Sequence, residues 1–384
     1  MRAHILEELS KLKAAGLKRS LKLVEGPQGP RVSVDGREVI LLCSNDYLGL
    51  ANDPLVKEAA KEAIDRWGLG AGASRLVSGN MEPHMMLEER IRRFKGAESV
   101  LLFNSGYNAN LGVICALAGR DAEIFSDKLN HASIVDACVL SRARFKRYPN
   151  RDLGSLETLL RMSKARKKLI VTDGVFSMDG TIAPLKEITG LLDRYDATLF
   201  VDDAHATGVL GPTGRGTLEY FNVTHPSIIQ MGTLGKALGA FGAFIAGPVE
   251  LTELLISRAR PFIYTTALPP AVCMAAIKAI DIIDQRPTLR ERLWKNVSIL
   301  KKGLEGAGLD TMGSETQIIP VLTGTAERAT AISAKLLSMG VFIHGIRPPT
   351  VPEGKSRLRI TVTAAHTEED LILALSAIKE AFNG

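Results

Sequence analysis

Between residues 84 and 247, short apolar runs alternate with stretches of helical periodicity. A helix over 84–95 precedes an apolar run at 99–103, and a helix over about 107–118 follows it. The run 122–125 leads into a helix starting near His131. The run 169–172 leads into a helix over 184–195, and 198–202 precedes two further runs at 227–231 and 242–247. Runs this short and this uniformly apolar are strands covered on both faces. Strands joined through helices lie mainly parallel, so this part of the chain reads as α/β with helices on both sides of one sheet. In such sheets ligands bind beyond the carboxyl ends of the strands. The residues there are Asn104-Ser105-Gly106-Tyr107, Ser126-Asp127, Asp173-Gly174 and Asp202-Asp203-Ala204-His205.

The flanking regions read differently. Ile5, Leu6, Leu9, Leu12 and Leu17 predict an amphipathic helix over 5–17, and Asp35-Gly36 between alternating runs predicts a hairpin over 32–40. Cys43-Ser44-Asn45-Asp46-Tyr47 then leads into a helix over 54–67. A long helix follows Pro269-Pro270 to about 284. Beyond it, strands near 317–322, 341–344 and 357–363 mix with helices at 290–305, 326–338 and 368–382. Three parts follow: an N-terminal helix and hairpin (1–50), a large α/β domain (51–285) and a smaller α+β domain (286–384).

The 384 residues are 46% hydrophobic and 23% charged, an ordinary globular composition. The net charge of +6 is spread without a basic block, which argues against nucleic acid and suits an anionic ligand. Four scattered cysteines form neither a disulfide framework nor a zinc motif and point to a reducing cytoplasm. No signal-peptide core and no membrane-length apolar run is present, so a cytoplasmic protein is expected.

Within this frame one lysine stands out. Gly232-Thr233-Leu234-Gly235-Lys236-Ala237-Leu238-Gly239 places Lys236 in a tight loop between two strands. Two readings are open: a solvated turn lysine, or a desolvated amine that forms a Schiff base with a cofactor aldehyde, with the Thr233 hydroxyl near its phosphate. Asp202, Asp203 and His205 are too few for a metal site, and no HExxH set accompanies them, so no metal is expected. Asp202 either caps the next helix or holds a pyridine nitrogen protonated. His131 either has a structural role or stacks on a flat ring. The Gly106-Tyr107 helix start favours a phosphate. Ser177 lacks the G-x-S-x-G setting of a hydrolase nucleophile. Arg357 and Arg359 share one strand face; either both are solvated or one clamps a carboxylate. Gly68-Leu69-Gly70-Ala71-Gly72-Ala73 matches a loosened dinucleotide fingerprint, but it follows a helix where that motif needs a strand.

Taken together, Asn104-Ser105-Gly106-Tyr107, Asn130-His131-Ala132-Ser133, Asp173-Gly174-Val175-Phe176-Ser177-Met178-Asp179-Gly180, Asp202-Asp203-Ala204-His205 and Thr233-Leu234-Gly235-Lys236 resemble the α-oxoamine synthases. These are fold-type-I enzymes dependent on pyridoxal 5′-phosphate, and the resemblance spans essentially the whole chain in order. It implies a large domain with a mainly parallel seven-stranded sheet, a smaller C-terminal domain, and a homodimer with shared active sites. It also implies roles: Lys236 bonds the cofactor and serves as base, Asp202 pairs with the pyridine nitrogen, His205 meets the ring hydroxyl, and His131 stacks on the ring. Gly106, Tyr107, Ser177 and Thr233 would hold ring hydroxyl and phosphate, with Thr265 and Thr266 reaching the neighbour's phosphate. Arg359 would bind the amino-acid carboxylate, while Arg19, Asn45, His131 and Thr350 would contact substrate. Ala206 stands where the family often has glycine, and Lys18-Arg19-Ser20 is less arginine-rich than in many relatives. Ala73-Ser74-Arg75-Leu76-Val77-Ser78-Gly79 and Ile346-Arg347-Pro348-Pro349-Thr350-Val351-Pro352 are similar to the branch that joins L-alanine to pimeloyl-CoA, or to its carrier-protein form, in biotin synthesis. The alternative within the family is glycine with acetyl-CoA or succinyl-CoA. Outside it stand a non-catalytic sensor and a nicotinamide dehydrogenase.

Overall fold

A computed structural model describes residues 1–14 and 16–383. The described chain forms two compact units. The larger holds 46–177 and 181–291; the smaller holds 1–45, 178–180 and 292–384.

In the larger unit seven strands form one sheet, in the order Ser99–Phe103, Ala243–Gly247, Ile228–Thr233, Ala197–Asp202, Lys167–Asp173, Ala122–Asp127, Arg144–Tyr148. Ala243–Gly247 runs antiparallel to both neighbours, and every other pairing is parallel. The expected parallel sheet is therefore present. One strand and its following helix, Arg144–Tyr148 and Leu153–Met162, escaped the sequence reading. Arg-Phe-Lys-Arg-Tyr is a largely polar edge strand, so it lacks the apolar signal of a central one. The helix expected over 184–195 is divided into Leu185–Thr189 and Leu192–Tyr195, with Gly190 between them. One core packs Ile124, Val171, Phe200 and Ile245 against the helix Gly106–Leu117; another gathers Phe125, Ile170, Leu199 and Val201. Neighbouring strand residues fall in opposite cores, as the two-residue period requires.

The smaller unit carries two sheets. Asp35 and Gly36 both have positive φ, 50° and 79°, and close the hairpin Arg31–Val34 with Arg37–Leu41. Val341–Phe342 adds parallel to that hairpin, while His344–Ile346 pairs with Ser356–Thr361 in the second sheet. The single strand expected at 341–344 is thus two short ones in different sheets. The first helix covers Arg2–Ala14 instead of 5–17, and none of its residues is buried.

Candidate active site

The carboxyl ends of the central strands in the larger unit converge on one cavity of about 210 Å³. Gly106, Tyr107, His131, Ser177, Asp202, His205, Thr233 and Lys236 all line it, together with Asn110, Ser133 and Asp173.

Lys236 lies three residues beyond the end of the strand Ile228–Thr233. Its loop is closed by Leu234 N donating to Gly242 O (2.8 Å) and Ala240 N donating to Leu234 O (2.8 Å). The loop turns back at Gly239, where φ is +62° and a Cβ would lie 2.3 Å from Ala51 N; only glycine fits. Thr233 Oγ1 donates to Gly242 O and accepts from Gly235 N. Lys236 Nζ lies 3.0 Å from His205 Nε2, and His205 Nδ1 lies 2.7 Å from the Tyr47 hydroxyl. The half-buried amine is thus held inside a hydrogen-bond network, unlike a solvated turn lysine.

Asp202 ends the strand Ala197–Asp202 and is buried. Its Oδ2 accepts from Asn110 Nδ2 (2.7 Å), and its Oδ1 accepts from Ala204 N (3.0 Å). Asp203 points away from the cavity lining, toward Lys95, Thr217 and Gln230. Neighbouring acids thus serve different surroundings, as strand alternation dictates.

His131 caps the helix Ala132–Leu140, and its backbone N donates to Asp173 Oδ2 (3.0 Å). His131 is exposed at the cavity wall, and the protein beside it desolvates the ring in part. That desolvation is the main cause lowering its pKa; the Asp202 charge opposes the shift and Lys236 adds to it. Asp173 is buried beside Asp202. Desolvation first, then the Asp202 charge, raises its pKa well above the ordinary carboxylate value. Its Oδ1 and the Oδ1 of Asn110 are buried without hydrogen-bond partners.

Sequence reasoning placed Asp173 at a strand end facing the site without giving it a role, and passed over Asn110 and Tyr47. Asn110 sits in an apolar helix, Asn-Leu-Gly-Val-Ile-Cys-Ala-Leu, and a polar residue on a core-facing position was the available signal. Thr265 and Thr266 are expected to serve the neighbouring subunit. They line a separate recess with Arg75 and Asn104, where Asn104 Nδ2 donates to Thr265 Oγ1 (2.8 Å).

Of the substrate residues of the sequence reading, His131 lines this cavity, and Arg19, Asn45, Thr350 and Arg359 lie in the smaller unit. Both terminal nitrogens of Arg359 are 3.3 Å from Asn45 Oδ1. An Arg19 terminal nitrogen is 3.5 Å from Thr350 Oγ1. Neither strand arginine is solvated: Arg357 is 3% exposed and Arg359 8%. Arg357 donates to Asp179 Oδ1 (2.7 Å), Met178 O and Lys355 O. The His344 imidazole is pushed below its ordinary value by burial and then by Arg347, Arg19 and Arg359, the mark of a cationic neighbourhood.

The larger unit's cavity fits a flat, phosphate-bearing heteroaromatic aldehyde. It offers an amine for the aldehyde, an anchored carboxylate for a protonated ring nitrogen, and the amide end of the helix Gly106–Leu117 for a phosphate. The two unpartnered buried oxygens mark walls that await a donor. Among the described residues no cluster of three metal-ligating side chains exists.

The family model for aminotransferase class I and II matches residues 37–378. The chain is 56% identical over 381 residues to the 8-amino-7-oxononanoate synthase of Geobacter sulfurreducens, covering 98% of this chain and 97% of the relative. It is 51% identical to the enzyme of the same name from Thermoanaerobacter pseudethanolicus, over 98% of this chain and 96% of the relative. Among solved structures, SPT with PLP superposes with a TM-score of 0.93 at 33% identity, covering 99% of this chain and 97% of the other. The 8-amino-7-oxononanoate synthase of Francisella tularensis superposes with a TM-score of 0.78 at 28% identity, covering 90% of this chain and 98% of the other.

Proposed function

Because the chain belongs to the 8-amino-7-oxononanoate synthases, within aminotransferase class I and II, we propose that it condenses L-alanine with a pimeloyl thioester. The thiol and carbon dioxide leave, and 8-amino-7-oxononanoate remains, a step of biotin synthesis. The chain is a transferase that uses pyridoxal 5′-phosphate. When bound, that cofactor supplies an electron-withdrawing ring that takes up the electron pair left as the amino acid loses its Cα proton.

The chain's own residues divide the remaining work. Lys236 would hold the cofactor and would be the base for the Cα proton of the amino acid. His205, 3.0 Å from its Nζ, shares that amine's hydrogen bonding. Asp202, fixed by Asn110 and Ala204 N, keeps the ring nitrogen protonated. His131 would pack on the ring. Ser177, Thr233, Gly106 and Tyr107 serve the ring hydroxyl and phosphate. Arg359 grips the amino-acid carboxylate through paired hydrogen bonds, and Arg19, Asn45 and Thr350 line the substrate path.

We further propose a homodimer in which Thr265 and Thr266 serve the neighbouring subunit. Support comes from Leu69, Leu76, Val77 and Tyr264, exposed at 73%, 52%, 80% and 72% near the glycine-rich segment and the threonine loop. Sedimentation should give a dimer; a fully active monomer would refute it.

The observation that carries the function is Lys236 Nζ bonded to His205 in the cavity that Asp202 also lines. The test supplies L-alanine labelled at its carboxyl carbon with pimeloyl-CoA or pimeloyl carrier protein. Labelled carbon dioxide and product of the expected mass are predicted. Faster turnover of glycine with acetyl-CoA would overturn the substrate assignment.

A further inference from the structure

Tyr47 is 0% exposed, and its hydroxyl lies 2.7 Å from His205 Nδ1 while the opposite ring nitrogen lies 3.0 Å from Lys236 Nζ. The three side chains form one line through an imidazole. Tyr47 is fixed from two sides. Asp46, beside it, accepts from Leu50 N (2.9 Å) and Ala51 N (3.2 Å), which locks the turn carrying the tyrosine. The same Leu50-Ala51 backbone closes on Gly239 of the lysine loop.

A neutral imidazole carries one N–H, and the group at one ring nitrogen decides what the other can do. If the phenol donates to Nδ1, the proton must sit on Nε2. An Nε2–H can only donate, and an ammonium has no lone pair to receive it. A free amine has one. We propose that Tyr47 is a positioning residue: it donates to Nδ1, fixes His205 as the Nε2–H tautomer, and so favours the uncharged, nucleophilic form of Lys236. This rests on Lys236 being the reacting amine. The other ionisable groups lining the cavity are Asp202, Asp173, His131 and Tyr107, and Asp46 precedes Tyr47 in the chain. Tyr47→Phe changes none of them.

Without the hydroxyl, His205 is free to present Nε2 as an acceptor to the ammonium, and Lys236 gains a proton more easily. The experiment strips the full-length protein of cofactor and follows the rate of pyridoxal phosphate capture against pH. Tyr47→Phe should move the midpoint up by about one pH unit, roughly ten-fold in rate at fixed pH below it. In a His205→Asn background the same substitution should produce no further movement, because the effect passes through the ring. Nitrogen-15 spectra of labelled histidine, assigned with His205→Asn, should show an Nε2–H ring in the parent and a changed tautomer balance in Tyr47→Phe. Should Tyr47→Phe fold poorly, Tyr47→3-fluorotyrosine, a stronger donor, should move the midpoint down.

The proposal falls if the midpoint moves less than about 0.2 unit, or moves equally in the His205→Asn background. It also falls if the His205 signals do not change. The functional reading fails separately: capture at a lysine other than Lys236, with the tautomer change intact, would remove the reacting amine and leave the Tyr47–His205 coupling standing.

Discussion

The larger unit's cavity and the smaller unit's arginine cluster are built in opposite ways. The cavity gathers residues from the ends of adjacent strands, so the sheet itself sets their spacing. Its charges are mixed: Lys236 among Asp173, Asp202 and two histidines. The cluster is predominantly cationic and assembled from distant segments around residues 19, 45 and 347–359. A mixed, buried set adjusts protonation states; a cationic set attracts a carboxylate. The first arrangement suits reaction chemistry and the second suits recognition, so substitutions in the two should fail differently.

The largest effect belongs to the cavity. Lys236→Ala should lower turnover by about a thousand-fold or more and abolish the visible cofactor band. Residual activity within ten-fold of the parent would move the chemistry elsewhere. Asp202→Asn should follow, with turnover reduced on the order of a hundred-fold and a melting temperature close to the parent's. The amide retains the shape and loses the charge, so near-normal turnover would dismiss the carboxylate's role.

The cluster should respond in affinity. Arg359→Lys replaces paired hydrogen bonds by one point charge and should weaken alanine binding about ten-fold, with the cofactor band unchanged. Arg357→Lys is the internal control. Arg357 already spends its donors on Asp179, Met178 O and Lys355 O, so its replacement should lower the melting temperature more than the affinity. A reversal of the two arginines, seen in the same alanine titration, would mean that the wrong one was chosen.

The smallest effect is a pH dependence confined to the smaller unit. His366 is 2% exposed; its Nδ1 accepts from Thr363 N and its Nε2 donates to Leu41 O, an arrangement that requires the neutral ring. Burial lowers its pKa from 6.5. The unfolded chain therefore binds the extra proton first, and this residue's contribution, complete above 6.5, is lost as pH falls below it. The melting-temperature advantage of the parent over His366→Gln should shrink between about pH 7.5 and 5.5. A gap independent of pH would contradict this.

The cavity was the more legible half. Apolar strand runs and the residues at their ends are local features, and strand topology brings those ends together. Lys236, Asp202, His205, His131 and Ser177 are all legible in the sequence. Asn110 was not, because its partner Asp202 lies 92 positions away. Tyr47 was not, because an aromatic residue beside apolar ones reads as core packing. The polar edge strand Arg144–Tyr148 and four-residue helices such as Arg260–Ile263 carry too little periodicity to register. The cluster was less legible: alternation gave the shared face of Arg357 and Arg359, but their burial depends on Asp179 and Asn45, which lie far away in sequence.

The sharpest single measurement is borohydride reduction of the cofactor-loaded protein followed by peptide mapping. The account predicts one equivalent of label, confined to the peptide containing Lys236, absent in Lys236→Ala and undiminished in Arg359→Lys. Label on another lysine, or label retained in Lys236→Ala, would contradict the assignment of chemistry to this cavity.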